Sequence, residues 1–140
     1  MDIFRFTNRI RLRHPEIDPD EISQALEMEP ATRWKVGEPM RGPQGKLGRF
    51  YTDSYWASEA RRGEDSELLD VIDADVTELE KRAAFLEKFW LSGGRITYYV
   101  SWFASDRSGG EILPASTLGR LAALHIDLAL DVYSSKSPPE

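Results

Sequence analysis

Two histidines are the side chains of this 140-residue sequence best suited to moving a proton near neutral pH or holding a metal, and there is no cysteine. His14 stands before Pro15, and His125 follows a leucine-rich run. A metal centre needs several converging ligands, and the chain offers neither an H-E-x-x-H pattern nor a thiolate, so no metal or cofactor is expected. His125 reads as a cap on the end of a helix, where a cation suits the helix dipole. His14 reads as a solvated residue at the end of a strand. Without cysteine there is no thiol nucleophile and no disulfide. Serine chemistry needs a hydroxyl raised on a strained turn, and no G-x-S-x-G elbow exists. Ser92-Gly93-Gly94 and Ser108-Gly109-Gly110 read instead as a helix stop and a hairpin-type turn. Gly42-Pro43-Gln44-Gly45-Lys46 has the wrong spacing for a phosphate loop, and Leu47 stands where a magnesium-binding hydroxyl belongs. Paired carboxylates are plentiful, but spacing does not show two converging in a pocket, and a solvated helix face accounts for most of them. The balance leans away from an enzyme, and no catalytic residue is assigned.

Charge is uneven along the chain. Residues 1–62 hold eleven Lys and Arg against ten Asp and Glu, while residues 63–140 hold seven against fourteen. Within 64–90 nine acids meet only three bases, so one segment carries the excess behind the net charge of −6. That argues against a nucleic-acid binder, which needs a basic footprint. Hydrophobic residues at 41% and charged residues at 30% suit a folded globular chain. No apolar run reaches the ~18 residues of a membrane span, and the N-terminus lacks the pattern of a signal peptide. A cytoplasmic protein fits these features best.

The elements that would position a site follow from periodicity. Phe4, Phe6, Ile10 and Leu12 alternate with Arg5, Thr7, Arg9, Arg11 and Arg13, which predicts a strand with one buried face and one basic face. Asp18-Pro19-Asp20-Glu21 predicts a helix entrance, with Asp18 as N-cap and Glu21 at the capping-box position, and Pro30 as the stop. Residues 29–49 hold so many prolines and glycines that they read as a long basic loop carrying Arg33, Trp34, Lys35 and Arg41. Arg49–Ala57 predicts an aromatic strand with Phe50 and Trp56 inward. Leu69, Ile72, Val76, Leu79, Ala83, Leu86 and Trp90 predict one helix over roughly 66–91, stopped by Gly93-Gly94, with Asp73–Asp75 as the place for any break. Arg95–Ala104 and Ile126–Tyr133 alternate as strands, with a short helix at Pro114–Leu124 between them. The whole predicts an α+β two-layer sandwich over residues 1–134, ending in a frayed tail at 135–140. Its sheet would be four-stranded and mostly antiparallel with helices on one face, and a ferredoxin-like order is among the arrangements allowed.

Several of these features recur together in one family. Ile17-Asp18-Pro19-Asp20-Glu21-Ile22 with Leu26 and Pro30, then Val36-Gly37-Glu38-Pro39, Trp56, Gly93-Gly94 and the Leu128–Tyr133 strand with Asp131 resemble the bacterial domain-of-unknown-function family 4279. The resemblance runs over about residues 4–133. Glu27 departs from the glycine expected after the leucine, and the long helix lacks an expected proline. The resemblance implies a bacterial source, assigns no reaction and transfers no catalytic residue.

Function therefore rests on surfaces. Arg5, Arg9, Arg11, Tyr51, Tyr55, Tyr99, Phe103, Asp127, Asp131 and Tyr133 are expected on the open face of the sheet. Arg9 or Arg11 could pair there with Asp127 or Asp131 across the strands. Candidate binding residues are Arg9, Arg11, Arg33, Trp34, Lys35, Arg41, Tyr51 and Tyr99. The first reading is a non-enzymatic protein-binding module, immunity-like, that docks a partner through its acidic helix or its aromatic sheet face. A homodimer through the open sheet face would bury the same aromatics. The alternative reading is a sensor of a small anionic ligand, or an unrecognised enzyme, using the basic loop 29–49.

Overall fold

The computed structural model describes residues 5–64, 67–104 and 111–134. The Ser108-Gly109-Gly110 turn and the tail at 135–140 lie outside the described residues. In chain order the elements are β1 (Arg5–His14), α1 (Pro19–Leu26), β2 (Pro30–Trp34), β3 (Pro39–Gly42), β4 (Gly45–Phe50), β5 (Ser54–Ser58) and β6 (Arg61–Glu64). They are followed by α2 (Leu68–Glu80), α3 (Ala83–Leu91), β7 (Arg95–Ala104), α4 (Ala115–Ala123) and β8 (Ile126–Ser134). The fold is α+β, with helices on one side of a mostly antiparallel sheet.

The main sheet runs β2-β5-β1-β7-β8, with β6 also paired to β1. β5 lies between β2 and β1, and β1 lies between β5 and β7, so two β-α-β units interlock as in a ferredoxin-like fold. α4 and β8 extend that arrangement, with β8 parallel to β7. Residues Arg11–His14 of β1 pair with β5, and Arg5–Asn8 pair with β6. Between these pairings the Ile10 N–H donates to Ser58 Oγ at 3.0 Å, a side chain standing in for a missing ladder partner.

The expected alternation of β1 and β7 is borne out. Phe6, Ile10, Leu12, Ile96, Tyr98, Val100 and Trp102 enter the core beside Ile22, Leu26, Ile72, Val76 and Leu86 from the helices. α1 is capped as expected, with Asp18 accepting the Asp20 N–H at 2.9 Å and Pro19 in the first turn. It closes before Pro30, however. Glu27 takes the left-handed conformation (φ 55°) where a glycine was expected, and the Met28 N–H reaches back to the Ser23 carbonyl.

Three expectations are corrected. The main sheet has more than four strands, because β2 within the loop 29–49 and β6 after β5 join it, and the loop also holds the separate β3–β4 hairpin. Its breakers prevent long elements but permit short strands, with Gly45 (φ 105°) adopting the positive φ that the hairpin turn requires. Consequently Phe50 ends the hairpin and is 61% exposed, whereas Trp56 in β5 is fully buried. The acidic helix is two helices, broken at Lys81-Arg82 rather than at Asp73–Asp75. There the Lys81 and Arg82 N–H groups bond three residues back to Glu78 and Leu79, tightening the chain. That tightening shifts the phase of the stripe, so Leu86 and Phe89 are buried while Ala83 and Trp90 are exposed. Asp73 and Asp75 lie within α2 and their side chains bond to other elements, Asp73 to Thr117 and Asp75 to Tyr98. At the far end α3 closes in a Schellman motif, Gly94 N–H to Phe89 C=O and Gly93 N–H to Trp90 C=O. Any Cβ on Gly94 would meet the Phe89 ring at 2.3 Å, so only glycine fits.

Candidate functional site

The face of the sheet away from the helices is built by the odd-numbered residues of β1 and β7 and by their cross-strand neighbours. Register sets Arg11 opposite Ala57, Arg13 opposite Tyr55 and Trp34 opposite Tyr55, so these side chains share one face. The Arg11 guanidinium lies 3.7 Å above the Tyr99 ring, and that of Arg13 lies 4.7 Å from the Tyr55 ring. Trp34 stacks between Tyr51 at 4.3 Å and Tyr55 at 4.4 Å. Towards the other end Phe103 and Tyr133 stack at 5.2 Å. Arg11 and Tyr99 are half-buried, where such a contact contributes about 1 kcal/mol, whereas the Tyr55 ring is buried. Arg13 also bonds both oxygens of Asp53 at 3.2 Å.

Of the candidate residues, the structure brings Arg9, Arg11, Trp34, Tyr51 and Tyr99 to this face. It separates Arg33, Lys35 and Arg41 from them. Alternation along β2 turns Arg33 to the helix side, 3.1 Å from Asp20 and 3.8 Å from Asp18, and Lys35 lies 3.8 Å from Asp18. Arg41 is exposed on the hairpin, opposite Lys46. The expected pairing of Arg9 or Arg11 with Asp127 or Asp131 is not formed: no ion pair among the described residues joins them. β7 intervenes between β1 and β8, placing the backbones about 10 Å apart at ~4.8 Å per strand. Arg13 and Tyr55 were missing from the candidates. Arg13 continues the alternation of β1 and was legible; its meeting with Trp34 and Tyr55 depends on β2–β5 pairing, which no local pattern reveals.

His14 overturns its solvated reading. It is buried, because the chain turns back over it: its Nδ1 accepts the Glu16 and Ile17 N–H groups, both at 3.0 Å. With Nδ1 occupied as an acceptor, the ring proton sits on Nε2 and donates to Ser92 Oγ at 2.9 Å. The Ser92 hydroxyl in turn donates to the Lys88 carbonyl at 2.9 Å. Burial pushes the His14 pKa below its ordinary value, with Glu16 and Glu21 opposing that shift. The proton flow runs from His to Ser to a carbonyl, the reverse of nucleophile activation, so this pair is a clasp. The groove beside it, about 670 Å³, includes Glu21, Lys35, Phe85 and Lys88 in its wall. His125 agrees with its reading as a helix terminus: it has φ 62°, donates its N–H to the Ala122 carbonyl and stacks on Trp90 at 3.9 Å. Among the described residues no three His, Asp or Glu side chains converge on a metal position.

The acidic helix is largely tied to its own molecule. Asp75 bonds Arg61 and accepts the Tyr98 hydroxyl at 2.6 Å, and Tyr98 in turn accepts the Asn8 amide at 2.7 Å. Burial and the Asp75 carboxylate push the Tyr98 pKa up, fixing its hydroxyl as a donor. Glu80 is held by Arg120 at 2.9 Å through two nitrogens, which draws its pKa down.

A family model described as Domain of unknown function (DUF4279) matches residues 4–135. The chain belongs to the DUF4279 family. The match spans the elements from β1 to β8 and agrees with the resemblance read from the cap, turn and strand residues. No curated protein and no solved structure matches the chain. DUF4279 membership brings no substrate, reaction or catalytic residue to it. Among its described residues no helix is long and apolar enough to cross a membrane.

Proposed function

We propose that this chain is a non-enzymatic protein-binding module whose open sheet face docks a partner protein presenting carboxylates. The observation that carries the reading is the way arginines are held there, Arg11 on Tyr99 and Arg13 on Tyr55. A ring beneath a guanidinium leaves its in-plane N–H donors unused; Arg11 Nε is buried, so the terminal nitrogens of Arg11 are the donors offered to a carboxylate, while Arg13 already bonds Asp53. Arg5, Arg9 and Arg95 share this face, against Asp127 and Asp131 at its far strand. Tyrosine, tryptophan and arginine are also the residues that most often dominate binding energy.

The acidic helix is the weaker docking element, since Asp73, Asp75, Glu78 and Glu80 already bond Arg120, Arg61, Lys81 and Arg120 respectively. The basic loop is likewise weaker as an anion cradle, because Arg33 and Lys35 face Asp18 and Trp34 faces the other way.

Affinity capture from extracts of the source cell, repeated with Arg11→Ala and Tyr99→Ala, tests the proposal. A protein retained by the parent chain, eluted by salt and weakened about tenfold or more by either substitution is expected. Retention that ignores both substitutions but falls on Asp70→Lys in α2 would transfer docking to the acidic helix. Capture of nucleic acid alone would end the protein-binding reading.

A further inference from the structure

The two edges of the main sheet are built differently. β2, at one edge, begins with Pro30, which has no N–H to offer. Its register shifts between Pro30 and Thr32, and Arg33 sits near its middle. Proline, bulges and charge are the devices that keep a sheet edge from pairing with another chain. β8, at the opposite edge, has neither proline nor bulge, and its only charges are the carboxylates of Asp127 and Asp131 on the open face. Its nine residues run in unbroken register along β7 and include no proline and no basic residue. Alternate residues of β8 turn their N–H and C=O groups away from β7. Leu130 and Val132, on the helix-bearing face of this edge, are 50% and 61% exposed.

The sequence of β8 is also complementary to itself. Laid antiparallel against a second copy with Leu130 on the twofold axis, Leu128 faces Val132, Ala129 faces Asp131 and Asp127 faces Tyr133. No carboxylate then opposes another. Moving the axis one residue to Ala129 would set Asp127 against Asp131, and moving it to Asp131 would set that residue against itself. In the Leu130 register, residues directly opposite share a face, so Leu128, Leu130 and Val132 of both copies form one apolar row beside the two α4 helices.

We propose that the chain forms a twofold homodimer by antiparallel pairing of β8 with β8, joining two main sheets into one. The guarded β2 edge halts further addition, so assembly closes at two. This inference is independent of the open-face reading, since Leu130 and Arg11 lie on opposite faces of the sheet.

Sedimentation velocity of the parent chain is expected to give twice the chain mass. Leu130→Lys, which places two ammonium groups face to face on the axis, is expected to give the chain mass with an unchanged circular dichroism spectrum. Because the chain has no cysteine, Leu130→Cys reports the register without adding charge. Oxidation should link it into a covalent dimer, while Tyr99→Cys on the open face should stay unlinked. A parent chain that sediments at the chain mass overturns the proposal. So does a dimer that persists in Leu130→Lys, or one that links through Tyr99→Cys and not through Leu130→Cys.

Discussion

Arginine is used in two ways on the two sides of this sheet. On the helix side Arg61, Arg82 and Arg120 end on carboxylates of Asp75, Glu27 and Glu80. On the open side Arg11 lies on Tyr99, and Arg13 is shared between the Tyr55 ring and Asp53. A carboxylate consumes the donors of a guanidinium, whereas a ring face supports the cation and leaves those donors unused. The helix side therefore spends its charge on tying α2 to β6 and α4, which is architecture. The open side pairs Arg13 with Asp53 but holds Arg11 on a ring with no ion pair among the described residues, which is what the proposed docking surface requires.

The contrast predicts that helix-side substitutions act on stability, with the largest effect at the most enclosed ring. Trp56 is fully buried and its indole N–H donates to Ser23 Oγ at 3.0 Å. Trp56→Ala should lower the free energy of unfolding in urea by ~3–5 kcal/mol. Trp34→Ala on the open side should cost about 1–2 kcal/mol, because that ring is only partly covered and its loss leaves little cavity. Equal costs would mean that the open-side stack is core rather than surface.

Next in size is the buried chain of hydrogen bonds from Asn8 through Tyr98 to Asp75. Tyr98→Phe removes the middle hydroxyl and leaves the Asn8 amide, 1% exposed, without the partner it now has. A loss of ~1–3 kcal/mol is expected, in line with stranding a buried donor. Tyr99→Phe, one residue along and on the opposite face, keeps the ring under Arg11 and should leave the melting temperature unchanged.

His14 supplies a pH test of the same side. Its folded pKa is depressed below the ordinary 6.5. Below that ordinary value the unfolded chain takes up a proton that the folded chain refuses, so stability is full above about pH 6.5 and declines as pH falls towards the depressed folded value. Protonation would place a hydrogen on Nδ1, against the Glu16 and Ile17 N–H groups. Urea unfolding at a series of pH values should show this decline in the parent chain and a smaller slope in His14→Gln. Identical slopes would remove the clasp from the account of stability.

How much of this was legible depended on whether the relevant contact was local. The faces of β1, β7 and β8 could be read from alternation alone, and the α1 entrance from Asp18-Pro19, because each is decided within a few residues. The break at Lys81-Arg82 could not be read, since Leu79 and Leu86 keep a helical spacing across it and neither glycine nor proline marks it. β2, β3 and β4 were hidden because short strands studded with Pro30, Pro39, Gly42 and Gly48 carry the same punctuation as a loop. His14 was misplaced because its burial comes from Pro15–Asp18 folding back and from Ser92, 78 residues away. At the candidate site, Arg11 and Tyr99 were legible as members of one face. The Arg13–Tyr55–Trp34 assembly was not, because it needs β5 to slot between β1 and β2.

The smallest expected effect on stability discriminates most sharply between the two sides. Arg11→Ala removes one half-buried cation–aromatic contact, and no ion pair of Arg11 exists among the described residues to be lost with it. Its cost to folding should be about 1 kcal/mol, detectable in urea but minor. Removing the same residue deletes donors from the proposed docking face, so under that proposal its effect on partner affinity should exceed its effect on folding. Arg11→Lys separates the two further: an ammonium can still sit over the Tyr99 ring and preserve stability, yet it cannot present a planar fork to a carboxylate. If Arg11→Lys binds as well as the parent chain, the open face attracts its partner by charge alone, and the geometric difference between the two sides has no functional consequence.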